Sequence, residues 1–219
     1  MSETPSAIPL LNRTRYDAPS ASVPSFAAKP GLSEELVREI SRQKNEPAWM
    51  LTLRLKGFSL FQKTPLPAWG PSLADLNLGE IVYFARPDAA EARDWNKVPQ
   101  EIRATFERIG IPQAERDFLS GVGAQFDSDV VYHNLKKEWA EKGVIFENMD
   151  TAVQKYPELV QKYFMTSCIP AHDHKFVMLH AAVWSGGTFI YVPPRVKVEI
   201  PLQAYFRMNM EQGGQFEHT

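Results

Sequence analysis

The sequence predicts an α+β chain in which a helix-rich N-terminal region gives way, near residue 165, to a strand-rich end. Three observations carry that prediction. Residues 32–43 repeat apolar side chains at helical spacing behind a capping serine. The run TFIYVPPRVKVEIPLQAYFRMN, residues 188–209, sets three stretches of β-branched and aromatic residues between prolines. The composition, 44% hydrophobic and 23% charged, is that of a folded domain rather than a disordered polymer.

Taken in order, residues 1–30 hold five prolines and little apolar periodicity, so an extended or disordered arm is expected there. Residues 31–165 read as a mixed helical domain with short strands. In GLSEELVREISRQKN, Ser33 is the expected N-cap, Glu34 and Glu35 favour the positive helix end, and Leu32, Leu36, Val37 and Ile40 share a face. EPAWMLTLRLKGFSLFQ carries both periods: Trp49, Leu51, Leu53 and Leu55 alternate, while Ala48, Leu51, Leu55 and Phe58 recur at helical spacing. Pro47 at a first turn and the strong helix formers decide for helix.

Prolines 65, 67, 71 and 87 break residues 63–97 into loops around an extended EIVYFA. VPQEIRATFERIG predicts a helix opened by Pro99, and a second one follows in PQAERDFLSG. GAQFDSDVVYHN and VIFENM read as extended, NLKKEWAEKG as a short helix capped by Asn134 and closed by Gly143, and DTAVQKYPELVQKYF as two helical pieces broken at Pro157. From 166 to 219, KFVMLHAAVW, GGTFIYVP, RVKVEIP and LQAYFRMN all read as extended. Pro193, Pro194 and Pro201 forbid tight hairpins, because a two-residue turn needs positive φ and proline is locked near −65°. Prolines suit corners between flat faces, as in a parallel β-helix or a jelly roll, in which strands adjacent in sequence need not pair.

Function classes narrow quickly. Twenty-four basic against 26 acidic side chains leave a net charge of −2, so no electrostatic footprint for nucleic acid or an acidic membrane surface is present. Apolar runs such as FVMLHAAVW are too short to span a bilayer, and MSETPSAIP lacks a signal-peptide core, so a cytoplasmic location is expected. The lone cysteine, Cys168, excludes an intramolecular disulfide; a buried structural thiol is the expectation.

His172 and His174 form an H-x-H pair whose spacing suits two metal ligands on one side of an extended segment. The corresponding alternative is a cupin-like jelly-roll metal enzyme, although the following Glu and the P-x-G turn of such sites are missing; the other reading is a polar loop. His133 and His180 are lone histidines among apolar neighbours, and WSGG is a turn without a phosphate-binding fingerprint. Arg207 and Asn209 share strand parity with Tyr205, opposite Phe206, Met208 and Met210. Facing solvent they are surface residues; facing an enclosed lumen they mark a polar path.

LSEELVREISRQKNEPAWMLTLRLKG, DSDVVYHNLKKEWAEKGVIFENMDTA, AVWSGGTFIYVPPRVKVEIPLQAYFRMN and the terminal GQFEHT, in that order, closely resemble SufB, the scaffold of the SUF iron–sulfur cluster assembly system in the SufB/SufD family. The likeness runs from about residue 31 onward. It implies a helical N-terminal region followed by a right-handed parallel β-helix, of which residues 166–219 would be the first, truncated coils. It implies no enzyme activity in the chain itself, a SufC-like ATPase, a SufD-like paralogue and a sulfur-donor system as partners, and a nascent iron–sulfur cluster as cargo of the full-length protein, with no cofactor in this part. In the family's YFRIN motif the arginine and asparagine line a sulfur-transfer path; they match Arg207 and Asn209, with Met208 in place of isoleucine. The sulfur-accepting cysteine of the family's EGC motif lies beyond Thr219, so the resemblance implies an N-terminal part of such a protein, as a fragment, a truncated gene product or one half of a split protein, and Cys168 matches no functional cysteine.

Overall fold

The computed structural model describes residues 22–109 and 113–219. In chain order these form β1 (Pro24–Ala27), α1 (Glu34–Gln43), α2 (Ala48–Lys63), β2 (Ala85–Pro87), a 3₁₀ turn (Trp95–Lys97), α3 (Gln100–Ile109), α4 (Gln113–Phe118), β3 (Gly121–Phe126) and β4 (Asp129–Leu135). There follow α5 (Lys137–Glu141), β5 (Ile145–Asn148), α6 (Met149–Lys155), α7 (Pro157–Tyr163), α8 (Lys175–Val183), β6 (Thr188–Tyr191) and β7 (Leu202–Arg207). The α+β class is correct, with small sheets among the helices.

The first helices form for the expected reasons. Ser33 is extended, and its Oγ accepts from Leu36 N at 3.2 Å, satisfying one of the donors left open at a helix start. α1 then buries Leu36, Val37 and Ile40 while Glu34–Arg38 and Glu39–Arg42 pair on its exposed side. α2 resolves its two competing periods as a helix, burying Met50, Arg54, Gly57, Phe58 and Phe61. α6 and α7 are separated at Pro157, as expected. Asn134 lies inside β4, paired with Val122, instead of capping α5, whose N-cap is Lys136 with no side-chain bond.

The C-terminal third departs from expectation. Residues 175–183, expected as a strand, are α8, started by His174, whose Nδ1 accepts from Phe176 N at 3.2 Å. Met178, Leu179, Ala181, Ala182 and Val183 are all buried: Met178, Leu179, Ala182 and Val183 pack with side chains of α1 and α2 and with Tyr83, Phe84 and Phe216, and Ala181 lies against Gly57 of α2. A run apolar at nearly every position has no periodicity by which to tell helix from strand. α8, beyond the expected boundary near residue 165, thus packs into the same core cluster as α1 and α2.

RVKVEIP makes no ladder. It leaves a turn at Pro193 to Val196, with Arg195 at φ 68°, and no sheet edge receives it. The described residues therefore hold no stack of parallel rungs and no jelly roll. They hold a β1–β2 pair, a β4-β3-β7 sheet and a β5–β6 pair. As the prolines require, β6 pairs antiparallel with β5, β7 pairs parallel with β3, and the two sequence neighbours do not pair with each other. Of the expected arm, residues 1–21 lie outside the described residues, whereas Pro24–Ala27 form a strand against β2 and the ring of Phe26 lies 5.9 Å from that of Phe84. Among the described residues no helix is long and apolar enough to cross a membrane.

Gly57 is where α2 and α8 touch. A Cβ there would lie 2.7 Å from Ala181 Cβ and 2.9 Å from Met178 O, a backbone atom that cannot swing aside. Alanine gains about 1 kcal/mol in helix propensity, but overpacking costs about 1–3 kcal/mol. Because the blocking atom is backbone, the overpacking cost falls in the upper part of that range, about 2–3 kcal/mol, and Gly57→Ala is expected to destabilise the protein by roughly 1–2 kcal/mol, read as a lower urea midpoint at unchanged slope; an unchanged or raised midpoint would show that the helices separate freely.

Candidate functional site

The β3–β4 connection is two residues long, Asp127 and Ser128, and both are buried. Ser128 is held on one side: its N–H donates to Ala85 O and its Oγ accepts from Ala85 N, each at 3.0 Å. Asp129 follows, bonded to Lys44 Nζ and, at 2.7 Å, to Arg86 Nε. Lys44 also meets Asp150 Oδ2 at 2.5 Å. Burial works against the charge on Lys44, but the two carboxylates outweigh it and its pKa rises; Asp129 is likewise held below the usual range by Lys44 and Arg86 against its burial. The turn thus stands on a fixed base.

From this base Asp127 reaches the end of β7. Parallel pairing sets Arg207 opposite Phe126. Asp127 N donates to Arg207 O at 2.8 Å, and Asp127 Oδ1 accepts from Asn209 N at 2.7 Å and Met210 N at 3.1 Å. Burial pushes the Asp127 carboxyl upward in pKa, while the two backbone N–H groups and the Arg207 guanidinium pull the other way. Gln215 Nε2 donates to Asp127 O at 2.8 Å and to Arg207 O at 3.3 Å. Gln125 Nε2 donates to Asp127 O at 2.9 Å and Ser185 O at 3.1 Å, while its Oε1 accepts from Gly187 N at 2.7 Å.

The WSGG turn is therefore the place where three segments meet. A Cβ on Gly186 would sit 2.4 Å from Gln125 Oε1, and one on Gly187 would sit 2.2 Å from His218 O. Both glycines also take positive φ, 69° and 91°. The sequence marked this as a turn but held no sign of Gln125, Asp127 or Gln215, whose roles depend on partners up to 88 residues away.

Arg207 and Asn209 are half-buried at this junction. His172 and His174 are not brought together as a metal pair: His172 is exposed, and His174 uses Nδ1 to cap α8, with its ring edge-on to Trp69 at 6.1 Å. Among the described residues no group of three or more His, Cys, Asp or Glu could hold a metal ion. Cys168, expected buried, is exposed in the turn-rich segment between α7 and α8. His133 is buried against the Phe146 ring at 4.3 Å, with neither ring nitrogen hydrogen-bonded, and burial pushes its pKa down to about 4. His180 and His218 share a hydrogen bond, Nε2 to Nδ1 at 2.8 Å, and the His218 ring lies 4.1 Å from that of Phe164. This pair joins α8 to a segment 38 residues on, which Thr188 N and Ser185 N tether by donating to His218 O and Phe216 O.

Residues 119–204 match the SufBD protein N-terminal region. That span runs from the residue before Ser120 into the first half of β7 and ends three residues short of Arg207. Iron–sulfur cluster assembly SufBD family proteins of Staphylococcus aureus are 52% identical over 205 residues, 94% of this chain, and one of Staphylococcus haemolyticus is 51% identical over the same length. The chain spans 44% of the length of each of these relatives.

The histidine pair makes stability pH-dependent. Burial, with Arg54 nearby, pushes His180 from 6.5 to about 4, and burial, with His180 beside it, pushes His218 to about 3. The unfolded chain binds these protons first, so the stability due to neutral imidazoles is complete above pH 6.5 and is lost progressively as pH falls toward 4. Urea midpoints measured from pH 7.5 to 4 are expected to decline through that window, and the His180→Gln, His218→Gln double variant to decline less, keeping the share due to His133. Equal slopes in the two proteins would remove the pair from this account.

Proposed function

We propose that this chain is the N-terminal part of a SufB-type scaffold in SUF iron–sulfur cluster assembly, and that it conducts sulfur past Arg207 and Asn209 without turning over a substrate of its own. The observation that carries this reading is the 52% identity, over 94% of the chain, to proteins named for iron–sulfur cluster assembly. The buried network at the end of β7 supports the site: it fixes the backbone that carries the half-buried Arg207 and Asn209, and a guanidinium and an amide on such a fixed backbone suit an anionic sulfur species. In such a transfer an acceptor thiolate attacks the outer sulfur of a donor persulfide. The donor S–S bond breaks, a new one forms on the acceptor, and the donor leaves as a thiolate, so no oxidant is consumed. Arg207 would stabilise the negative charge carried through this exchange.

The rest of the reading follows from the family. A sulfur-donor system supplies the persulfide, a SufC-like ATPase and a SufD-like paralogue complete the assembly, and the nascent cluster is cargo handed on to acceptor proteins, all in the cytoplasm. β7 is paired with β3 on one side alone and is the natural first rung for parallel coils of a β-helix in the longer relatives.

Arg207→Ala and Asn209→Ala, introduced singly into the gene in its host, are each expected to lower the activity of iron–sulfur enzymes in the cell by about tenfold or more at unchanged protein level, the scale for losing a charge-assisted contact in a transfer path. Wild-type activities with both residues replaced would end the sulfur-path reading.

A further inference from the structure

We infer that Asp127 is the positioning residue of the Arg207–Asn209 segment, holding it through two backbone bonds and through its charge. The inference rests on the sulfur-path reading and adds to it a residue that does not touch the sulfur.

Asp127 has φ 50° in a two-residue connection, where glycine or asparagine would satisfy the backbone with less or equal strain. Its side chain is also buried, at 6% exposure for the residue, and desolvation raises the cost of keeping a carboxylate there. The turn alone requires neither the burial nor the charge. What the carboxylate reaches accounts for its burial: Oδ1 takes the N–H groups of Asn209 and Met210, and these bonds and the Arg207 guanidinium favour the ionised form, although burial outweighs them and leaves the carboxyl above its ordinary range.

The backbone of Asp127 completes the hold. Its N–H donates to Arg207 O, and Gln215 bridges Asp127 O and Arg207 O, so the chain on both sides of Met208 is fixed to one residue. That residue is itself immobile, because Ser128 is bonded to Ala85 and Asp129 is held by Lys44 and Arg86. Tethering at Arg207 O, Asn209 N and Met210 N sets where β7 ends and the direction in which the Arg207 and Asn209 side chains leave the strand. A displacement of about 1 Å in such groups lowers a transfer rate by up to about a hundredfold. Asparagine at 127 would keep an acceptor oxygen for the two N–H groups and would remove the charge opposite Arg207, which separates the two contributions.

The test is a double-mutant cycle in the native gene, with Asp127→Asn and Arg207→Ala alone and together, read as iron–sulfur enzyme activity per unit of protein detected. Asp127→Asn is expected to lower activity by about fivefold with the urea midpoint of the purified chain little changed, and the double variant to be no worse than Arg207→Ala, because orienting an absent guanidinium has no value. If Arg207→Ala is impaired while neither Asp127→Asn nor Asp127→Ala, which also removes the acceptor oxygen, is impaired, the positioning role falls and the sulfur-path reading stands. If the two losses multiply, Asp127 acts independently of Arg207 and the inference is overturned. If Arg207→Ala is itself fully active, the sulfur-path reading falls and this inference falls with it. Asp127→Glu supplies the conservative arm: with the charge kept and the reach altered, partial recovery over Asp127→Asn is expected, and none would show that the charge has no part.

Discussion

A single buried guanidinium sets the geometry on which the rest of the molecule depends. Arg54, fully buried on α2, makes a two-pronged bond to Glu46, at 2.7 Å from Nε and 2.5 Å from Nη2. With its remaining donors it takes the carbonyls of Ala182 at 3.2 Å and Trp184 at 2.9 Å, and its plane lies over the Trp184 ring. These carbonyls are at the C-terminal end of α8, where helix geometry leaves acceptors without partners. Removing one partner of such a pair costs about 3–5 kcal/mol, since it strands the other charge away from water. Arg54 thereby fixes where α8 stops and where the Ser185–Gly187 turn begins. Gln125 reads that turn through Ser185 O and Gly187 N, Asp127 is bonded to Gln125, and Arg207 and Asn209 are bonded to Asp127.

Polar burial in this protein is concentrated along that line. Lys44, Asp129 and Arg86 brace the β3–β4 turn, and Asp150 links the same lysine to Gly186 N at 3.2 Å. Burial raises the Asp150 carboxyl, since Lys44 alone does not offset its desolvation beside Asp129. The histidines are handled differently. His133, His180 and His218 lie among aromatic rings, and their low pKa values leave them neutral near pH 7. Charge is kept where a counter-ion can be placed within reach, and elsewhere the titratable groups are uncharged.

The strand arrangement follows from the prolines and has a consequence for the site. Because β6 and β7 cannot fold back on each other, each seeks a distant partner, and β7 is laid parallel beside β3. Parallel pairing is what brings the end of β7 to the end of β3, so that Arg207 emerges beside the Asp127 turn. An antiparallel hairpin would have carried it to the opposite end of the sheet.

What the sequence determined by itself is whatever depends on neighbours within a few residues. The Ser33 cap, the apolar face of α1, the break between α6 and α7 at Pro157 and the absence of a β6–β7 hairpin are all consequences of local φ restriction, capping and spacing. Arg207 and Asn209 came from a resemblance of several sequence blocks, a record of ancestry and not of contacts. Tertiary structure alone decided the rest. The run at 175–183 is apolar at every position but Lys175 and His180, so its spacing does not tell helix from strand, and only its packing on α1 and α2 makes it α8; Val196, Val198 and Ile200 alternate like a strand and find no edge to join. Asp127, Gln125 and Gln215 carry no local signature, because a hydrogen bond between residues 82 or 88 positions apart exists only after the chain has closed those distances.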